Sequence, residues 1–215
     1  MSKRVLSDLQ AAIESLHAVE TGLEVADYVV SGEQKRDIPG AVDGLPEQFF
    51  VREVEDAVEM ALYVDPAIVE LLAVDPPAKR LHEGNLEAYC IALEGVSHFV
   101  LTSYRAAREL QVSPLELEIQ AEVDKFVTAW VLLTEQGQHE AVAARGLERR
   151  LFTGSEVRDE VHPHEVERYE VATKVAQRYC ARLARRGAGP SRHHDLRREV
   201  RAFFRKGLAE KMRAA

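Results

Sequence analysis

The side chains of this sequence best suited to chemistry are cationic, and they crowd its C-terminal end. From Lys174 to Ala215 there are 13 lysines and arginines against 3 aspartates and glutamates, a net charge of +10. Residues 1–173 carry the opposite excess, −18, within an overall charge of −8. At about 3.6 residues per helical turn, Lys174, Arg178, Arg182 and Arg185 share one arc. Tyr169, Thr173, Ala176, Cys180 and Leu183 share another. The split recurs downstream: Leu196, Val200, Phe203 and Phe204 make an apolar side flanked by Arg198, Arg201 and Arg205. Such a stripe can neutralise phosphates. The interleaved apolar residues equally suit helices that dock, leaving their arginines to meet acidic surface. No zinc-finger spacing, RNP-like aromatic segment or helix-turn-helix pattern accompanies the basic stretch. A protein partner or self-association is therefore expected ahead of nucleic acid.

A second group lies between residues 94 and 109. Glu94-Gly95-Val96-Ser97 reads as a passage from strand to helix. His98, Thr102, Arg105 and Glu109 then recur at one-turn steps, opposite Val96, Phe99, Val100, Ser103, Ala107 and Leu110. His98 and Arg105 beside a glycine-led helix start could take a small anion. A single glycine is no phosphate-binding loop, however, and a solvated helix face explains the same residues. Glu122 is the third candidate. It falls inside the edge of a stripe formed by Leu115, Ile119, Val123, Phe126, Trp130 and Leu133, where a buried carboxylate needs a partner. Arg105, Tyr104 or a histidine would serve, and Glu118 stands one turn away. Glu116, near the helix start, is favoured by the dipole alone, so Glu122 is expected to be the more sensitive of the two.

Other constellations carry less. The Glu-x-x-His spacing of a diiron bundle is absent, and Glu94 with His98 has the wrong separation. His162, His164 and Glu165 around Pro163, and the pair His193-His194, lack cysteine partners or a zinc-hydrolase spacing. Cys90 and Cys180 read as small buried hydrophobes, and Ser97 and Ser103 lack a nucleophile elbow. No metal or cofactor is expected, and no catalytic triad is indicated.

The elements that carry these groups follow from period and punctuation. Leu6, Leu9, Ile13, Leu16 and Val19 predict a helix stopped at Gly22. Leu23–Val30 reads as a strand and Glu33–Pro46 as a loop. Gln48–Val54 and Ala57–Val64 form a hairpin around Glu55-Asp56. Asp65-Pro66 caps a short helix to Val74, and Leu86–Leu93 reads as an inner strand. Helices follow over 95–110, 114–135, 138–151, 163–186 and 195–212. Strands thus precede helices, which predicts a predominantly helical α+β fold with a small antiparallel sheet in the N-terminal half. The charge break divides it into an acidic body, 1–160, and a basic helical segment, 161–215, packed on that body with a hinge near 187–191.

With 46% hydrophobic and 30% charged residues the chain is neither disordered nor fibrous. Two cysteines make no disulfide framework, and no segment reaches the ~20 apolar residues of a membrane span. The start, Met1-Ser2-Lys3-Arg4, lacks the apolar stretch of a signal peptide. A cytoplasmic protein with no membrane association is expected. Three functions suit it: a non-enzymatic binding or protein-interaction module, a nucleic-acid-associated factor, or a small-molecule enzyme using His98, Arg105 and Glu122.

Overall fold

The structure, a computed structural model, describes residues 3–55, 57–153, 163–186 and 189–215. The expected boundary near residue 160, His162, and residues 187–188 of the expected hinge lie outside them, as do the side chains of His164 and Glu165. In chain order come α1 (Lys3–His17), α2 (Gly32–Arg36), β1 (Glu47–Val54), β2 (Ala57–Val64), α3 (Pro66–Val74) and α4 (Glu83–Ala106). Then follow α5 (Pro114–Glu135), α6 (Glu140–Phe152), α7 (Pro163–Arg185), α8 (His193–Phe204) and α9 (Leu208–Ala214). The fold is predominantly helical α+β with one two-stranded antiparallel sheet, as the sequence predicts. The chain divides into two compact units. Met1–Glu14 with Val19–Gln111 forms one, and Ser15–Ala18 with Val112–Ala215 forms the other.

In the first unit the expected hairpin is present, paired from Glu47 opposite Val64 to Val54 opposite Ala57. Asp65 caps α3 by accepting the Ala67 N–H at 2.8 Å, with Pro66 at the first helical position. Two expected strands are absent. Leu86–Leu93 is instead the start of α4, opened by a capping box between His82 and Asn85. A short apolar run cannot be told from a buried helix by periodicity alone, and the cap decides it. Leu23–Val30 is a 3-10 turn, Val25–Tyr28, with only Val29 bridging to Leu62. Here the Gln10 amide takes over the backbone groups: its Nε2 donates to the Leu23 carbonyl at 2.6 Å, and its Oε1 accepts from Val25 N–H at 2.7 Å. The expected loop after residue 32 contains the short helix α2, capped by Ser31.

Gly95 lies in the middle of α4 rather than at its start. A Cβ there would stand 2.5 Å from Leu62 Cδ1 and 2.7 Å from Glu47 Oε1. The absent side chain is what lets the hairpin lie against the helix, with Phe49 and His98 rings 6.1 Å apart on the same face. Gly95→Ala is expected to cost about 1–3 kcal/mol through overpacking, despite alanine's better helix propensity. Denaturant melts check this; a stabilised variant would show that the hairpin gives way freely.

The second unit is built around α5. Phe126 packs ring to ring on Trp130 and on Phe152, with centroids 5.6 and 5.9 Å away respectively. The apolar sides of the basic helices join this interior: Ala172, Ala176, Tyr179, Cys180 and Leu183 of α7 and Leu196, Val200, Phe203 and Phe204 of α8 are buried. Tyr179 stacks on Phe203 with centroids 4.0 Å apart. Burial pushes the Cys180 thiol well above its usual range, as befits a small core residue. The expected helix over 195–212 is two helices. The first ends at Phe204, and Gly207 caps the start of α9, its N–H donating to the Glu210 carboxylate at 3.3 Å.

Candidate functional site

Helix α8 is amphipathic because its apolar residues recur at three- and four-residue steps, and burying them fixes which side chains remain outside. Those outside are basic. An open groove is lined by His193, His194, Arg197, Arg198, Arg201 and Arg205 together with Ala18 and Ala202. A hollow beside it, between α7 and α8, is lined by Arg182, Arg186, Arg192 and Arg198 with Tyr179, Leu183, Asp195 and Glu199. Among the seven cations expected from the sequence, Arg198, Arg201 and Arg205 share the groove, and Arg182 joins Arg198 in the hollow. Lys174, Arg178 and Arg185 line neither.

These side chains are held in different ways. Arg201 donates from Nε to the Leu16 carbonyl at 3.1 Å and from Nη2 to that of Ser15 at 3.3 Å. Arg205 donates to the carbonyls of His17 at 3.0 Å and Ala18 at 3.1 Å. The two arginines thus bind carbonyls at the end of α1 and in the turn just after it, at the negative end of its dipole. Arg198 and Arg192 flank Asp195 at 3.5 and 2.5 Å, and Lys174 pairs with Glu170 at 2.9 Å. Arg178 and Arg185 are exposed, with no carboxylate against them among the described residues.

The other candidates are placed differently from expectation. His98, Thr102 and Arg105 are buried at 6%, 3% and 5% exposure, so they are not a solvated face. Polarity at one-turn steps marks an outward face only on a helix buried on one side, and α4 is buried almost all round from Gly95 to Arg105. Glu122, in the second unit, is the least buried residue between Glu116 and Trp130; it accepts from Lys125 Nζ at 2.6 Å. Sequence reading missed what runs along another side of α5. Glu116, Gln120 and Asp124 lie at four-residue steps and are all buried. Lys211 Nζ, fully buried, donates to Gln120 Oε1 at 2.8 Å and stands 3.7 Å from Glu116 Oε1. Gln120 Nε2 donates to Asp124 Oδ1 at 2.8 Å, and His17 Nε2 lies 2.7 Å from that oxygen.

The order of sensitivity expected for the two glutamates therefore reverses. Glu116→Gln weakens an ion pair that is almost wholly out of water and is expected to cost about 1–3 kcal/mol. Glu122→Gln removes a pair nearer the surface and is expected to cost less than about 1 kcal/mol. Parallel urea melts compare them, and a costlier Glu122 variant would restore the original expectation.

The sequence matches no protein-family model, and no curated protein or solved structure is significantly similar to it. The basic face of α7 and α8 is consequently read from its own chemistry.

Proposed function

We propose that the protein is a binding module that holds an acidic segment of a partner protein against the cationic face of α7 and α8. The groove beside α8 carries this reading, because six basic side chains converge there while the apolar side of the same helix is spent on the core. The buried apolar residues favour a fixed surface over a free polycationic arm. The groove offers no phenylalanine, tyrosine or tryptophan ring as a platform for base stacking. Carboxylates spaced along a peptide suit such a surface, since each arginine presents a fork to one of them.

Full-length protein titrated into a labelled polyglutamate peptide, followed by anisotropy, tests the reading. Saturable binding that weakens steeply with salt is expected, and Arg197→Glu/Arg198→Glu should weaken it at least about tenfold. Absence of binding at low salt would overturn the proposal. Tighter, salt-sensitive binding of duplex DNA in the same assay would replace the protein partner with nucleic acid.

A further inference from the structure

We infer that Arg201 and Arg205 form a single pre-ordered anchor for one oxyanion, a carboxylate or a phosphate, inside the α8 groove. This rests on the anion-binding reading above and assigns that reading its centre. A guanidinium carries five N–H donors in a rigid plane. Arg201 commits two of them to the Leu16 and Ser15 carbonyls, which leaves three. Arg205 commits both hydrogens of Nη1, to the carbonyls of His17 and Arg201, and one of Nη2, to that of Ala18, which leaves two. Both side chains nevertheless line the groove.

The backbone carbonyls therefore do the ordering before any ligand arrives. Fixing a long side chain normally opposes binding, and here that cost belongs to folding. Arg178 and Arg185 offer the same chemistry on α7, but no hydrogen bond among the described residues holds them. The carbonyls at the end of α1 occupy the committed donors, so an anion in the groove is accepted by the remaining ones. Arg197, Arg198 and the two histidines then supply the surrounding positive field. A planar carboxylate or a phosphate oxygen pair matches the fork; an acidic side chain and a phosphorylated one are the two sources.

The test follows arginine Nε–H signals of the full-length protein during titration with polyglutamate and, separately, with a phosphoserine peptide. Signals of Arg201 and Arg205 should be resolved in the free protein and shift saturably, and the peptide that shifts them at lower concentration identifies the oxyanion. Arg205→Lys keeps the charge but loses the fork, and should weaken binding about tenfold. Arg149→Lys, at an exposed arginine of α6 that lines neither the groove nor the hollow, should change it less than about twofold. A thermal melt checks that each variant is folded; should Arg205→Lys unfold, the signals of the unaltered protein still decide. Peptide binding that leaves the Arg201 and Arg205 signals unmoved overturns the anchor and spares the binding module. Failure of both peptides to bind overturns the module itself.

Discussion

Replacing Trp130 with alanine is expected to destabilise the protein by about 3–5 kcal/mol. The indole is 1% exposed and packs against Phe126 with ring centroids 5.6 Å apart, so its loss leaves a cavity in the centre of the second unit. A second loss adds to the first. Trp130 Nε1 donates to the Glu140 carbonyl at 3.0 Å, and the Glu140 carboxylate in turn accepts from the N–H and hydroxyl of Ser191. Gly189 leaves the room for that carboxylate, and the Trp130 ring edge is the next nearest group to where a Cβ would stand. Truncating the indole therefore loosens the segment that leads into α8. Trp130→Phe should separate the two effects, retaining most of the packing and losing the hydrogen bond at about 1–2 kcal/mol. Urea melts followed by circular dichroism measure both variants. An alanine variant within about 1 kcal/mol of the parent would mean that the core of α5 lies elsewhere.

Lys211→Met should be comparably severe, at about 3–5 kcal/mol, although it replaces a charge with an apolar chain of similar length. The reason lies in what remains behind. Lys211 is fully buried, and without its ammonium Glu116 loses its ion pair and Gln120 Oε1 its donor, both away from water. Adding Glu116→Gln to the lysine variant removes the carboxylate charge that the ammonium faced and should recover part of the loss, so the double variant will be less than additive. Additive losses would show that the two side chains act independently. A neutral Lys211→Met would show that the ammonium reaches solvent.

Much of the local structure was legible because punctuation and period agreed. Asp65-Pro66 at the start of α3 and the alternation of β2 each state one element with one boundary. Legibility failed where a side chain from elsewhere supplied the missing partner. Val25 looked like strand because nothing nearby shows that Gln10 will satisfy its N–H. Gly95 looked like a boundary because only the hairpin, folded back on α4, explains a glycine in mid-helix. The basic stripe itself was visible from charge alone. Its division into ordered and free arginines was not, since Arg201 and its carbonyl partner on Leu16 stand 185 residues apart. The same holds for His17 and Asp124, at a separation of 107. A polar stripe on α5 signals outward-facing residues until those distant partners are known.

The discontinuity of the second unit also bears on how the chain reaches its native state. Ser15–Ala18 belongs with residues beyond 111, yet it is synthesised long before them. The carbonyls at the end of α1 must wait for Arg201 and Arg205, and Gln120 must wait for Lys211. Closing such wide loops is entropically slow, whereas the hairpin and α4 draw on nearer neighbours. Refolding should accordingly run in two phases, the hairpin region gaining amide protection early and the turn around His17 only with the last helices. A ribosome-bound chain would hold that turn open until α8 had emerged.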